Sequence, residues 1–197
     1  MTHRLSIEEQ LRALSTLAAT VGERQTQEIQ AIGEMVLDTL RAGGRIFLCG
    51  NGGSAADAQH MAAEYVVRFG RDRNPLPALA LTTDTSVLTA AANDLGFGRV
   101  FSRQVEALAT EGDLLILLST SGESENLLTA AEAAHKVGVS TVALLAKGGG
   151  RLASQVDRAL VIPTGSTPRA QEMHLAVGHI LCEFVEAEMF PAVEGGA

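Results

Sequence analysis

Five short apolar runs, each nearly continuous rather than alternating, constrain this chain more than any other feature; they cover residues 45–49, 78–81, 114–118, 141–145 and 159–162. A strand with one wet face alternates polar and apolar residues. A strand covered on both faces does not, and strands covered on both faces belong chiefly to parallel sheets packed between helices. Helix-like stretches at about 54–68, 86–92, 98–109, 124–136 and 150–155 lie between the runs, and a longer one over 167–189 closes the pattern. Repeated strand–helix units predict an α/β fold: a three-layer α/β/α sandwich around a five-stranded parallel sheet.

Residues 7–42 read as helix ahead of the first run. Ser6 is placed to cap it, with Glu9 three positions on, as in a capping box. Leu11, Leu14, Ala18 and Val21 recur at helical spacing, and Gly22 is expected to break or kink the run. Ile29, Ile32, Val36 and Leu40 form a second stripe that Gly43-Gly44 ends. Two striped helices ahead of the first strand either pad the core or join a subunit interface. The chain then reads as one domain over 1–197: a helical segment 1–42, an α/β core 43–190 and a loose tail 191–197.

Composition narrows the function. With 197 residues, 46% hydrophobic and 19% charged, the chain is globular rather than disordered. A net charge of -8 and no Lys/Arg cluster exclude an ordinary nucleic-acid binder. The same acidity excludes steering of an anionic substrate by the whole molecule, so a phosphate must be held by local geometry. Cys49 and Cys182 form no C-x-x-C pair and fall in apolar surroundings, which predicts buried thiols in a reducing compartment. No leader-like apolar core and no membrane-length run is present, so a cytoplasmic protein with no membrane partner is expected.

Ligands of such a sheet bind at the carboxyl ends of its strands. After the first run comes Gly50-Asn51-Gly52-Gly53-Ser54, a glycine turn that lets backbone approach a ligand, with Ser54 placed to cap the next helix. It is neither a Walker loop nor a dinucleotide fingerprint. After the third run comes Ser119-Thr120-Ser121-Gly122-Glu123-Ser124, again opening a helix. One serine would suffice for a cap. This density of hydroxyls predicts a phosphate cradle of O–H donors, backbone amides and helix dipole, with no lysine required.

His60 and Glu64 lie four apart and share a helix face, a spacing that can chelate a divalent metal but more often marks solvated partners. On the last helix Gln171 and His179 sit about 80° apart and two turns along, able to flank one site. His174 shares Gln171's face as well, and arithmetic does not choose between the histidines. Asn93-Asp94 alone reads as helix-end turn chemistry.

Taken together, Gly50-Asn51-Gly52-Gly53-Ser54, Asp57-Ala58-Gln59-His60 with Glu64, Asn93-Asp94, Ser119-Thr120-Ser121-Gly122 with Ser124, and Arg169-Ala170-Gln171-Glu172-Met173-His174 with His179 resemble the sugar isomerase (SIS) domain of the phosphoheptose isomerase family. Order and spacing match from about residue 30 to 190. The resemblance implies the SIS fold, flavodoxin-like with N-terminal helices added. It implies an isomerase that converts sedoheptulose 7-phosphate to D-glycero-D-manno-heptose 7-phosphate, the first step toward the heptose of bacterial surface polysaccharide such as lipopolysaccharide. It further implies a homotetramer with shared active sites, the segment 1–42 serving in contacts between subunits.

By the same resemblance zinc, one ion per subunit, falls to His60, Glu64, Gln171 and His179, with Glu64 as base and His179 as acid. Ser119, Thr120, Ser121 and Ser124 take the phosphate. Asn51, Gly52, Gly53, Ser54, Glu64, Asn93, Asp94 and Gln171 touch the substrate. The family thus favours His179 over His174 and gives Asn93-Asp94 a role beyond a turn. An amide oxygen binds zinc less well than a carboxylate, so Gln171 predicts modest affinity. A metal-bound Glu is also a weaker base, a tension that residues alone leave open. Two other readings come from relatives: a non-catalytic scaffold that binds a replication initiator, and a phosphosugar-sensing module. The scaffold branch lacks the acidic and imidazole residues at positions 64 and 179, and the module is usually fused to a second domain.

Overall fold

Ser6 Oγ accepts a 3.4 Å hydrogen bond from the Glu9 amide, and α1 (Ile7–Arg24) begins there in the computed structural model, which describes residues 6–191. Gly22 does not break the run as expected; it lies inside α1, and the bend falls at Gln25, which has φ -126° and ψ 5°. A glycine inside a helix costs only about 1 kcal/mol relative to alanine, too little to end it. At Gln25 the side-chain amide donates to the Val161 carbonyl at 2.6 Å and ties the bend to the sheet layer. α2 (Thr26–Arg41) follows. Of the tail expected at 191–197, all but Pro191 lies outside the described residues.

The apolar runs become β1 (Ile46–Gly50), β2 (Ala78–Ala80), β3 (Leu114–Ser119), β4 (Ser140–Leu145) and β5 (Arg158–Val161). They form one sheet in the order β2-β1-β3-β4-β5, every pair parallel. All residues of β1 and β3 are buried, which is why their runs show no alternation. Ile46, Leu48, Leu114 and Ile116 face one layer, with α2, α3 (Gly53–Val66) and α7 (Thr167–Met189). Phe47, Cys49, Leu115 and Leu117 face the other, with α5 (Ser102–Leu108) and α6 (Glu125–Lys136). Each fully buried Leu, Ile or Phe among them contributes roughly 1.5–3 kcal/mol.

The expected helix at 86–92 is longer, α4 (Thr85–Leu95), because Asp84 Oδ1 accepts from the Val87 amide and caps it. The stretch at 98–109 splits into a 3-10 turn (Phe97–Arg99) and α5, and 150–155 is a 3-10 turn (Arg151–Ser154) rather than a helix. Both thiols are free and buried, and burial pushes Cys182 up to about 12, so neither is a reactive thiolate. Among the described residues no helix is long and apolar enough to cross a membrane.

β2 lies on one side of β1 and β3 on the other, so the strand order reverses between them. That reversal opens a crevice at the carboxyl ends of β1 and β3, the place where sheets of this kind bind ligands.

Candidate active site

The glycine turn and the hydroxyl turn flank that crevice. Asn51 and Asn126 strap them together, exchanging side-chain amide hydrogen bonds of 3.0 and 2.9 Å. Between the turns lies a cavity of about 240 Å³ walled by Gly52, Gly53, Ser54, the 119–121 stretch, Ser124, and Thr167 and Gln171 of α7. Ser119 Oγ accepts from the Gly122 amide at 3.0 Å, and Ser121 Oγ accepts from the Glu123 amide at 3.2 Å. Those bonds shape the turn, and each hydroxyl keeps its own proton to donate. Ser124 stands at the cap of α6 without a side-chain bond to the helix, so the dipole end of α6 remains available to an anion.

Ser54 does not cap α3 as expected. Gly52, at φ 59°, holds the cap position, and Ser54 is buried in the first helical turn, where it still borders the cavity.

α3 and α7 lie side by side and point the same way. Contacts step along them together: Gly53 meets Gln171, Met61 meets Gly178, and His60 meets His179. His60 Nε2 is 2.9 Å from His179 Nε2 and 3.4 Å from Glu64 Oε1, and the three ligand atoms all lie within 4.8 Å of one another. Two imidazole nitrogens this close either share a proton or share a cation. Zinc–nitrogen bonds of about 2.0–2.1 Å at tetrahedral angles set their nitrogens roughly 3.3 Å apart, so a small opening admits an ion. Two imidazoles and a carboxylate are a catalytic zinc donor set, leaving one position open. The residues therefore fit the metal. The Phe69 ring, 5.3 Å from the His179 ring, covers one side.

Gln171 stands apart from this cluster, eight residues or about 12 Å of helix from His179. Its carboxamide lies over Gly53, where a Cβ would meet Nε2 at 2.5 Å. His174 is buried and its Nε2 lies 3.0 Å from the Leu145 carbonyl oxygen, a core contact; burial pushes its pKa down. Packing thus sets His179, and not His174, beside His60. Asn93 and Asp94 are exposed at the end of α4, where the Asn93 amide donates to Asp94 Oδ1 at 2.7 Å.

Two features escaped the sequence reading. Arg73 and Glu186 join the far ends of α3 and α7, and Lys147 stands at the carboxyl end of β4. The sheet-edge rule that singled out the turns after β1 and β3 applies equally to Lys147-Gly148-Gly149-Gly150. A cation beside three glycines was the available signal.

A family model described as SIS domain matches residues 10–146. The chain is 54% identical over 168 residues to a phosphoheptose isomerase of Roseiflexus sp. (strain RS-1), covering 85% of each chain. Its structure is similar to that of a phosphoheptose isomerase from Francisella tularensis, with TM-score 0.88 and 34% identity over 91% of this chain and 95% of that one. It is also similar to a phosphoheptose isomerase from Neisseria gonorrhoeae, with TM-score 0.85 and 39% identity over 92% and 100%.

Proposed function

The chain belongs to the phosphoheptose isomerase family of SIS-domain proteins, and we propose that it interconverts sedoheptulose 7-phosphate and D-glycero-D-manno-heptose 7-phosphate. The observation that carries this reading is the meeting of Glu64, His60 and His179 on the seam that also borders the hydroxyl-lined cavity. The scaffold and sensing-module readings need neither the cluster nor its distances.

Ketose–aldose exchange moves a proton between adjacent carbons through an enediol, and it needs a base at carbon and a donor at oxygen. The hydroxyls of Ser119, Thr120, Ser121 and Ser124 and the start of α6 hold the phosphate. Gly53 and His60 stand about 10 Å apart along α3, the span from phosphorus to C1 of an extended seven-carbon sugar phosphate. Gln171, whose carboxamide lies over Gly53 in the cavity wall, reaches the sugar from the phosphate end, and Asn51, Asn93 and Asp94 take sugar hydroxyls. Glu64 Oε1 faces His60, so Oε2 is the oxygen left to lift the proton from C1 and return it to C2. His179 Nε2 faces His60, so Nδ1 is left to move a proton between the two sugar oxygens. A zinc ion held by His60, Glu64 and His179, one per subunit, would polarise the sugar carbonyl.

A homotetramer with shared sites suits the apolar groove of about 570 Å³ along α1, α2 and α7, whose wall includes Leu14, Ile29 and Ile180. Ile180, half exposed, neighbours His179, so a subunit covering the groove would approach the site. The product would feed heptose of a bacterial surface polysaccharide, and the free buried thiols suit a cytoplasmic setting.

The test is incubation of the purified protein with sedoheptulose 7-phosphate in D2O, followed by proton NMR. Aldose should form with deuterium at C2, a chelator should stop it, and zinc should restore it. A protein that leaves the ketose unchanged with zinc present is not an isomerase of this substrate.

A further inference from the structure

We propose that Lys147 is a cationic arm of the phosphate cradle, its ammonium group passing from Thr167 to the bound phosphate. The proposal rests on the phosphosugar reading above and adds a residue to it.

Lys147 is the non-glycine residue with positive φ among the described residues, at 50°. Such a backbone is strained for a side chain with Cβ and persists where the surroundings over-determine it, most often at functional sites. Gly148, Gly149 and Gly150 follow with φ of 83°, 89° and 56°, so the turn has glycines to spare, yet a lysine occupies its first left-handed position. Its amide donates to the Thr164 carbonyl at 3.2 Å, which helps hold that conformation.

Placement is the second observation. Lys147 Nζ donates to Thr167 Oγ1 at 2.9 Å, and Thr167 is part of the cavity wall. The glycines behind the lysine lie directly on the hydroxyl turn. A Cβ on Gly150 would meet the Ser121 carbonyl oxygen at 2.5 Å, and one on Gly122 would collide with the Gly149 carbonyl. The Leu152 amide donates to the Gly122 carbonyl at 3.0 Å, closing the two turns on each other. The loop that carries the lysine is therefore fixed relative to the loop that carries the serines.

Charge is the third. The cavity wall holds no cationic side chain. Arg151 is engaged by Glu123 and Glu125, and Arg169 by Glu172. Lys147 makes no carboxylate ion pair among the described residues; its amine is engaged only by a neutral hydroxyl. In a chain of net charge -8, a phosphate dianion gains little from the long-range field. A compact ammonium on a flexible stem, parked against a wall hydroxyl, supplies the missing charge locally. Thr167 Oγ, while accepting from the lysine, still has its own proton to donate into the cavity.

The experiment compares wild type, K147N, K147R and K147G, using turnover of sedoheptulose 7-phosphate and the Tm shift produced by inorganic phosphate. Asparagine tolerates the left-handed backbone, so K147N removes charge without refolding the turn. K147N should raise KM at least about tenfold with kcat within a few-fold, and should abolish most of the phosphate-induced Tm shift. K147R should recover most of both. K147G should raise the ligand-free Tm by relieving strain while binding phosphate no better than K147N. An unchanged KM and an unchanged phosphate shift in K147N and K147G would overturn the proposal. Failure of the wild type to turn over the sugar would instead sink the isomerase reading, and the phosphate shift would still decide the role of Lys147.

Discussion

Arg73 and Glu186 close a buried ion pair, Nε to Oε1 at 2.7 Å with side chains 1% and 3% exposed, at the far end of the two helices that carry Glu64 and His179. Arg73 also donates through Nη2 to the Glu64 carbonyl and through Nη1 to the Tyr65 carbonyl, at 2.7 and 2.9 Å. Glu186 accepts from the amides of Phe69, Gly70 and Arg71. One carboxylate thus gathers the end of α3, the loop behind it and α7. Removing one partner of such a pair leaves a buried charge unmatched, at about 3–5 kcal/mol. Glu186→Ala should therefore lower Tm by roughly 6–20 °C for a domain of this size. A shift of only a degree or two in calorimetry would show that water replaces the carboxylate at little cost.

Glu64→Gln removes the base proposed above and almost no volume. Turnover should fall by about 10²–10⁴-fold, the range that general-base catalysis supplies, with Tm nearly unchanged. Deuterium incorporation at C2 should vanish with it. Exchange that survives in this variant would move the base to another residue.

His60→Ala should lower zinc affinity at least about tenfold, because His60 Nε2 is the atom closest to both other donors in the cluster. Equilibrium dialysis with metal analysis reads this directly, without any assay of turnover. Equal zinc content in variant and wild type would place the ion elsewhere.

Ser121→Ala takes a hydroxyl from the cavity wall while the Glu123 amide it served is left near solvent. Binding of the phosphosugar should weaken by about 1.5–3 kcal/mol, the worth of a hydrogen bond to a charged group. KM should rise accordingly and kcat should hold. An unmoved KM would remove this hydroxyl from the cradle.

Acid should destabilise the fold in two stages. Burial pushes the His174 imidazole below its ordinary 6.5, so the unfolded chain binds that proton first and stability declines as pH falls from about 6.5 toward the folded value. Burial pushes Glu186 up, but the amides of Phe69 and Gly70 and the Arg73 guanidinium outweigh it and hold the carboxyl below its ordinary 4.5. Its contribution is complete above about 4.5 and is lost as pH falls through the lower folded value. In chelated protein, urea midpoints at pH 5–7 should slope less for His174→Gln than for wild type. Equal slopes would mean that His174 titrates alike folded and unfolded.

The strands were legible because burial on both faces erases alternation, and β1 and β3 are buried throughout. The hydroxyl turn was legible because a cap needs one serine and this turn has several. Gln25 was not, since its bend depends on a bond to Val161, 136 residues away. His174 and His179 lie within one and a half turns of each other, and only the approach of α3 and β4 separates them, one against Leu145 and the other against His60. Lys147 and the Arg73–Glu186 pair share that difficulty: their partners Thr167 and Glu186 are close in space and distant in the chain. Periodicity left position 179 undecided, and the resemblance alone singled it out as the histidine to expect beside His60.

Because α3 and α7 advance in step, the chain between Gln171 and His179 works as a gauge block between the cavity and the imidazole pair. One residue inserted there would turn His179 about 100° around its helix and away from His60, while leaving helix content intact. A homologue with a changed count at this spacing would keep the architecture and forfeit the cluster. For the cluster to persist, changes of length belong in the turns and termini, and changes between Gln171 and His179 must be substitutions.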